Sequence, residues 1–271
     1  MGNASTLPLL APMLADSSAP FSSSDYLYEP KWDGFRCLAY LENHKTTLLS
    51  RRGRDLSESF GELGTLDRQV DAGPAIIDGE IVIFHKGKEQ FQLLLERIKI
   101  KQSPHLANLA PAVFIAFDLL YCNGVSLLNV PLYERKEQLS EKVSPGDHLI
   151  INSFVIGSGE ALFHAAKEQG REGIVAKRLD SLYTPGKRSS HWLKIKTINT
   201  TEAVVMGYIP KSGNNFQSLI LGQYSVHSGE LVHVGNVGTG FSGADMQEIL
   251  ATLKQLTTGG GELPPRRPGI P

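Results

Sequence analysis

The sequence predicts an α+β domain built mainly from antiparallel sheets, followed by a small all-β module. Before "KTINT", strand-like apolar segments occur at uneven spacing, and several of them alternate in polarity. Helical stretches separate groups of these strands and do not follow each strand in turn, which argues against a regular parallel sheet. After "KTINT" the chain changes to short strands joined by Gly- and Ser-rich turns, which is typical of a small barrel.

The segments of the first domain are assigned from their periodicity and residue types. Strands favour β-branched and aromatic residues with a period of two, whereas helices repeat apolar residues at three and four positions. The predicted strands are "FRCLAYLE", "KTTLLSRR", "AIIDGEIVIF", "AVFIAFDLLY", "EGIVAKR" and "HWLKIK". The predicted helices are "EQFQLLLERIK", "LYERKEQLSEKV" and "GEALFHAAKEQG".

The two ends of the chain and the domain boundary follow from composition. Residues 1–25 are rich in Ser, Pro and Ala, so we expect a tail or wrap over the surface. The change to short strands with Gly- and Ser-rich turns places the domain boundary near 198–201, which gives a first domain over 1–199 and a second over 200–271. In the second domain we predict the strands "EAVVMGYI", "SLILGQYS" and "ELVHVGNVG", the helix "GADMQEILATLKQL" and a closing Gly/Pro loop.

Composition limits the partners that the protein can have. With 27 Lys and Arg against 28 Asp and Glu, the net charge is −1, so a polyanion has to meet a local basic face. No apolar run approaches the ~20 residues of a membrane span. Cys37 and Cys122 lie in apolar strand-like runs and are interpreted as buried free thiols in a reducing compartment. We therefore expect a cytoplasmic protein without membrane contact.

The stretch "YEPKWDGFR" places Lys31, Asp33, Gly34 and Arg36 within six residues that also contain Trp32 and Phe35. A solvated loop needs no such aromatic residues, and a buried strand avoids so many charges. One interpretation is a reactive lysine in a half-buried pocket that also holds an anion, since a lysine attacks phosphorus or carbonyl carbon only as the neutral amine. The alternative is a surface lysine in a turn for which Gly34 supplies the bend.

Further charged and aromatic side chains stand at the ends of downstream strands. A single "DGE" is often a turn, and a single "KxK" is usually a solvated face, although a period of two puts both lysines on one side of a strand. Together they supply what nucleotidyl transfer requires: a nucleophilic amine, cations for phosphates, carboxylates for ribose and Mg²⁺, and an aromatic plate for a base. These residues are Asp78, Glu80, Phe117, Asp118, Glu172, Lys177, Lys194 and Lys196.

In order, "KWDGFR", "SRRGRD", "IIDGE", "FIAFDLLY", "EGIVAKR" and "WLKIK" resemble the motifs of the covalent nucleotidyltransferase superfamily. The sequence is most similar to the ATP-dependent DNA ligases of bacterial non-homologous end joining, of the ligase D type, over about residues 10–258. "PMLA" and "HVGNVGTGF" add to the similarity. The resemblance implies an ATP-grasp-like nucleotidyltransferase domain with mainly antiparallel sheets, followed by an OB-fold β-barrel.

The resemblance also implies roles for individual residues. Lys31 matches the nucleophile that takes AMP from ATP, Glu29 the residue that reads the adenine amino group, and Phe117 the ring that stacks on the base. Arg36 and Arg51 match residues near the ribose and the phosphates, and Lys194 and Lys196 match the lysine pair that holds the α-phosphate. Arg188 matches the basic residue that precedes the last motif, with Lys187 as the alternative. Glu80 matches the ribose-binding carboxylate, and Glu80 and Glu172 match carboxylates connected with the metal ion.

The family reaction seals nicked or broken double-stranded DNA through lysyl-AMP, with ATP and Mg²⁺ or Mn²⁺. From the resemblance we expect a bacterial, nucleoid-associated monomer that works with a Ku-type end-binding protein. Family members carry a last basic motif in the closing strands of the OB-fold, and "RRPGIP" does not match it, so we expect a truncated, incomplete OB-fold. The alternatives are an RNA ligase, a guanylyl-transferring capping enzyme, or an inactive remnant that binds nucleotide or DNA ends.

Overall fold

The computed structural model describes residues 7–100, 104–197, 202–212, 215–225 and 228–256. The chain divides into two compact units, Met1–Thr197 and Ile198–Pro271. The predicted boundary at 198–201 and the predicted closing loop over 257–271 lie outside the described residues.

The first unit contains twelve strands, four α-helices and two 3-10 helices within its described residues. Six of the strands correspond to the six predicted from the sequence, and three of the helices to the three predicted ones. The strands are β1 (Leu14–Ser17), β2 (Tyr26–Pro30), β3 (Phe35–Glu42), β4 (Lys45–Ser50), β5 (Ala75–His85), β6 (Lys88–Glu89), β7 (Ala112–Cys122), β8 (Val125–Ser126), β9 (Leu149–Ile151), β10 (Val155–Ile156), β11 (Gly173–Arg178) and β12 (Arg188–Lys196). The helices are 3-10 segments Ser57–Ser59 and Gly61–Gln69 and the α-helices α1 (Phe91–Ile100), α2 (Pro104–Leu109), α3 (Leu132–Lys142) and α4 (Gly159–Glu168).

These strands form two sheets. One has the order β4-β3-β5-β7-β8, with β6 paired to β5 and β9 to β7, and the other has the order β1-β12-β11-β2-β10. All pairings are antiparallel except β1 with β12 and β7 with β9. The prediction of an α+β domain with mainly antiparallel sheets is therefore confirmed.

The two sheets pack on each other through a shared apolar cluster. Leu27 of β2 and Trp192 of β12 meet Leu38 of β3, Ile76 of β5 and Phe117 of β7 in this cluster. The opposite face of the larger sheet is covered by the 3-10 helices and α1, and α4 covers the smaller sheet. Both sheets are thus buried on two faces, which explains the nearly continuous apolar runs of β5 and β7.

The N-terminal segment differs from the expected surface wrap. From Leu7 onward it contributes β1 to the edge of the smaller sheet, and Met13 is fully buried. The Met13 backbone N–H donates to the Tyr183 hydroxyl at 2.9 Å. The strand β1 lies at the edge of its sheet and pairs only with β12. An edge strand does not need a continuous apolar sequence, so the polar composition of this segment did not indicate a strand.

In the second unit the described residues form a three-stranded antiparallel sheet and one helix. The strands are β13 (Val204–Lys211), β14 (Asn215–Tyr224) and β15 (Leu231–Val237), in that order, and the helix is α5 (Gly243–Leu256). Phe216 and Leu219 of β14 pack against Leu250 of α5. The predicted three strands and helix are confirmed, and within the described residues the strands do not close into a barrel.

Two predictions from composition can be compared directly with the structure. Cys37 and Cys122 are both buried and free. Among the residues that the structure describes, no helix combines the length and apolar character needed to cross a membrane.

Candidate nucleotidyl-transfer site

A cavity of about 290 Å³ opens between the two sheets of the first unit. Nine of the ten sequence-predicted site residues line it, and the tenth, Glu172, contacts two of those nine. The nine are Glu29, Lys31, Arg36, Arg51, Glu80, Phe117, Arg188, Lys194 and Lys196. The structure therefore brings together residues that are spread over most of the first unit.

The "KWDGFR" stretch is the crossover from the smaller sheet to the larger one, because β2 ends at Pro30 and β3 begins at Phe35. The Lys31 backbone N–H donates to the carbonyl of Gly173 at 3.0 Å, which fixes the start of the crossover. A side chain at Gly34 would collide with the Ile81 carbonyl and the Glu80 side chain. The glycine is thus required by this close approach of β3 to β5, and Lys31 is held at the cavity.

Trp32 occupies the centre of this crossover. Its Nε1–H donates to Asn152 Oδ1 at 2.8 Å, and its ring meets the Phe84 ring edge-on with centroids 5.7 Å apart. The Arg171 guanidinium lies 4.8 Å from the Trp32 ring centroid. These contacts answer why the sequence places aromatic residues around the lysine: they anchor a short crossover that carries charged groups.

Lys31 and Lys196 share the carboxylate of Glu172. Lys31 Nζ donates to Glu172 Oε2, and Lys196 Nζ lies 2.8 Å from Oε1. Burial alone would raise the pKa of Glu172, but the hydrogen bonds from Lys196 and Lys31 outweigh it and lower that pKa. Glu172 is therefore an anion that holds the Lys31 ammonium in place.

One face of the smaller sheet supplies a row of polar side chains to the cavity. Glu29 of β2 stands opposite Val175 of β11, which stands opposite Lys194 of β12. Two residues along, Lys177 stands opposite Trp192. Because side chains in a strand alternate between faces, these residues share the cavity face with Lys196.

The larger sheet contributes the opposing wall. Arg36 of β3 pairs in register with Glu80 of β5. The pairing of β5 with β7 shifts between Asp78 and Gly79, whose partners are Asp118 and Ala116, so Phe117 is the extra residue of a β-bulge. A bulge redirects a side chain relative to simple alternation, and here the Phe117 ring faces the smaller sheet.

Arg36 is held by Asp78 and by two aromatic rings. Its Nε and Nη2 donate to the two oxygens of Asp78 at 3.0 and 2.6 Å, and its guanidinium carbon lies 5.2 Å from the Phe117 centroid and 5.6 Å from that of Trp192. Burial opposes its charge, but Asp78 outweighs burial and raises the pKa of Arg36. The Tyr183 hydroxyl donates to Asp78 at 2.6 Å, so the Arg36 position depends on a buried network.

The Glu80 carboxyl has a strongly raised pKa. Burial raises its pKa to about 8, and the nearby charges of Arg36 and Lys31 offset only part of this effect. At pH 7 the free protein therefore holds Glu80 mainly in the neutral form. A cation bound beside this carboxyl would favour its ionised form.

The base-facing residue predicted from the resemblance, Glu29, is almost fully buried and carries two ion pairs. Lys136 Nζ lies 2.6 Å from Oε1, and Lys177 Nζ lies 2.6 Å from Oε2. Lys177 was among the candidate residues of the sequence but received no individual role, and Lys136 was not a candidate. Lys136 had a detectable pattern, since Leu132, Arg135, Lys136 and Leu139 form a buried stripe of helix α3 that contains two cations.

The two exposed arginines of the predicted set lie at the entrance. Arg51 follows β4, and Arg188 begins β12. Arg188 Nη1 donates to the Ala15 carbonyl at 2.5 Å, and its Nε lies 3.8 Å from Asp16. Arg188 lines the cavity, whereas the alternative Lys187 is not among the lining residues.

The carboxylates fit a magnesium ion that is held jointly with phosphates. Within the described part of the chain, no group of three or more His, Cys, Asp or Glu side chains is arranged to hold a metal ion alone. Mg²⁺ is usually held by one or two carboxylates together with substrate phosphates and water. Glu80 and Glu172, whose charges influence each other, would provide this smaller donor set.

Comparison with known proteins identifies the family to which this fold and site belong. Two packed, mainly antiparallel sheets with a lysine at their crossover form the fold of a ligase-type nucleotidyltransferase. A family model described as "ATP dependent DNA ligase domain" matches residues 9–196, and one described as "ATP dependent DNA ligase C terminal region" matches 212–268. The chain belongs to the ATP-dependent DNA ligase family, which confirms the resemblance seen in the sequence.

Individual relatives agree with this assignment. DNA ligase C1 of Mycolicibacterium smegmatis is 35% identical over 263 residues, covering 93% of this chain and 74% of the relative. The multifunctional non-homologous end joining protein LigD of Mycobacterium bovis is 33% identical over 253 residues, covering 90% of this chain and 32% of the relative. A solved structure titled "mycobacterial DNA ligase D complexed with ATP and MES" superposes with a TM-score of 0.63 at 32% identity, covering 96% of this chain and 81% of that one. The chain spans about half the length of two further relatives, the DNA ligases of Thermococcus onnurineus and Thermococcus fumicolans.

Proposed function

We propose that this protein seals nicked or broken double-stranded DNA in end joining, with ATP as the source of AMP and Lys31 as its covalent carrier. The single observation that carries the proposal is the position of Lys31. It stands at the crossover between two sheets, in contact with Glu172, in a cavity lined by an aromatic ring and several cations. The similarity to the multifunctional non-homologous end joining protein LigD of Mycobacterium bovis supports the end-joining context.

The chain's own residues account for the requirements of transfer at phosphorus. Phe117 and Trp192 provide apolar surface for a base, and Lys194 and Lys196 present two cations on one strand face for the phosphates. Each step is an in-line displacement at phosphorus, so catalysis lies mainly in positioning and charge neutralisation. Lys31 must give up one ammonium proton before its nitrogen attacks the α-phosphorus of ATP and displaces pyrophosphate, and the Glu172 contact orients the amine until then.

Glu80 and Glu172 would hold a magnesium or manganese ion together with the phosphates. When bound, the ion supplies charge neutralisation to the phosphate oxygens. Glu29, in its fixed position between two lysines, accepts a hydrogen bond from the adenine amino group. Arg36 and Arg51 face the ribose and phosphates, and Arg188 supplies a cation at the entrance.

The proposal extends to partners and location. Nicked or broken DNA is the substrate, a Ku-type end-binding protein recruits the ligase, and the protein acts as a monomer at the bacterial nucleoid. No observation favours RNA or a guanylyl group over DNA and AMP, since both family models that match are those of ATP-dependent DNA ligases.

The decisive experiment is incubation with α-labelled ATP and Mg²⁺ followed by a denaturing gel. We expect covalent label on the wild-type chain and none on Lys31→Ala or Lys31→Arg, because arginine stays protonated at any working pH. Lys187→Arg is the matched control, as it lies outside the cavity lining and should label normally. Label that persists in Lys31→Arg, or appears with GTP in place of ATP, would overturn the proposal. A wild-type chain that takes no label would instead support the inactive remnant.

A further inference from the structure

Glu29 is the centre of a buried charge cluster whose positive charge exceeds what one carboxylate needs. Lys136 and Lys177 each place Nζ 2.6 Å from one of its oxygens, and all three side chains are at most 3% exposed. Burial lowers the pKa of Lys177, and the positive charge of Lys136 adds to that effect. A single lysine would neutralise the carboxylate, and a second one adds desolvation cost. The second lysine therefore calls for a reason other than neutralisation.

Lys177 and Lys136 differ in their position relative to the cavity. Lys177 lines the cavity, with Nζ 4.2 Å from the ring centroids of both Phe117 and Trp192. Lys136 lies behind Glu29 on helix α3 and is absent from the lining residues. It therefore cannot touch a nucleotide in the cavity, and any effect that it has must pass through its neighbours.

Those neighbours are the two groups that would meet a base. Lys136 Nζ donates to Glu29 Oε1 at 2.6 Å and to the Phe117 carbonyl at 3.3 Å. It also lies 5.0 Å from the Phe154 ring centroid, which limits its own freedom. The Lys136 ammonium group thus connects the Glu29 carboxylate with the backbone of Phe117, the β-bulge residue whose ring would stack on the base.

We propose that Lys136 is a positioning residue for nucleotide recognition: it fixes the Glu29 carboxylate relative to the Phe117 ring, so that the site selects a base with an amino group at this edge. An ion-paired carboxylate is an acceptor only, and each Glu29 oxygen keeps a lone pair for a donor on the ligand. The inference rests on the proposed adenine nucleotide in this cavity. It adds a residue from outside the six motifs.

The test measures equilibrium binding of two nucleotides that cannot transfer AMP. One is α,β-methylene ATP, and the other is the same compound with hydrogen in place of the 6-amino group. We expect wild type to prefer the amino compound about tenfold to a hundredfold, as for a hydrogen bond to a charged group. Lys136→Met should lose most of this preference while it binds the des-amino compound as wild type does. Lys136→Arg, which keeps the charge, should retain part of the preference.

Lys142→Met is the matched control, because it makes the same change in the last turn of the same helix. The ratio of the two affinities is measured within each variant, so a partly unfolded preparation does not change it. An equal loss of affinity for both nucleotides in Lys136→Met would show a merely structural role and overturn the inference, as would a wild type without preference. Binding with the expected ratio but no lysyl-AMP label would refute the proposed function and leave the inference intact.

Discussion

Replacement of Phe117 by alanine separates a base-stacking ring from an ordinary core phenylalanine. Phe117 is 8% exposed, belongs to the apolar cluster between the sheets and also lines the cavity. An aromatic plate contributes about 1–3 kcal/mol per stacked base, so we expect Phe117→Ala to weaken nucleotide binding about tenfold to a hundredfold. Loss of the ring also removes one aromatic contact each from Arg36 and Lys177.

The same strand offers a matched control. Phe114 is fully buried three residues earlier in β7, but it belongs to the cluster on the opposite face of the larger sheet and is not among the cavity-lining residues. Phe114→Ala and Phe117→Ala should both destabilise the fold by about 3–5 kcal/mol, as for buried Phe→Ala changes. Only Phe117→Ala should lose nucleotide affinity per folded molecule, and Phe117→Tyr should keep most of it.

The assay is calorimetric titration with α,β-methylene ATP at low temperature, with the folded fraction taken from near-ultraviolet circular dichroism. Phe117→Leu, which leaves the core better filled than alanine does, should weaken binding in the same direction. The stacking role is refuted if Phe117→Ala and Phe114→Ala bind the nucleotide equally well per folded molecule. Phe117 would then be a core residue that happens to border the cavity.

Two further predictions concern charge. Because the pKa of Glu80 is raised from 4.5 to about 8 in the folded state, the protonated Glu80 side chain contributes to the stability of the fold below pH 4.5, and this contribution is lost as pH rises to about 8. The free energy of unfolding of Glu80→Gln, relative to that of wild type, should therefore rise by about 2–5 kcal/mol when the pH is raised from 5 to 8.5. Urea unfolding with a chelator measures this difference, and a difference that does not change with pH would contradict the raised pKa. Arg135 and Asp118 are both fully buried and form two hydrogen bonds of 2.8 Å. Arg135→Met should therefore lower the free energy of unfolding by about 3–5 kcal/mol, and the double variant Arg135→Met/Asp118→Leu should recover most of this loss. Additive losses in urea unfolding would show that the pair does not act as a unit.

Much of the fold and site could be predicted because the informative patterns are local. The period of two in "HWLKIK" places Lys194 and Lys196 on one face, and the structure has both at the cavity. The Gly in "KWDGFR" is explained by a single close approach, which a turn-like sequence indicates without naming the partner. The short strand β2 was missed because "YLYEP" is only five residues long and ends in proline.

The remainder depends on contacts between distant parts of the chain. Lys136 and Glu29 are 107 residues apart, and nothing near Lys136 indicates which carboxylate it meets. The β-bulge at Phe117 arises from the register between β5 and β7, so the sequence of either strand alone does not reveal it. The buried face of helix α3 contains Arg135 and Lys136, and two buried cations indicate that buried anionic partners exist. Which carboxylates these are depends on the packing of α3 on β7, which the sequence of α3 does not reveal.

The near-neutral composition and the proposed phosphate-rich substrate are reconciled by the distribution of charge in the cavity. Although the chain has a net charge of −1, the lining residues include the cations Lys31, Arg36, Arg51, Lys177, Arg188, Lys194 and Lys196 against the carboxylates Glu29 and Glu80. Glu80 is mainly neutral at pH 7, because burial raises its pKa to about 8, and Glu29 is committed to two lysines. Glu172 and Asp78 partly neutralise Lys31, Lys196 and Arg36, but the cations still outnumber the carboxylates at the cavity. The cavity therefore presents a local basic face, while acidic residues elsewhere balance the total. Such a concentration of cations attracts a triphosphate by electrostatic focusing, and its effect decreases as salt increases.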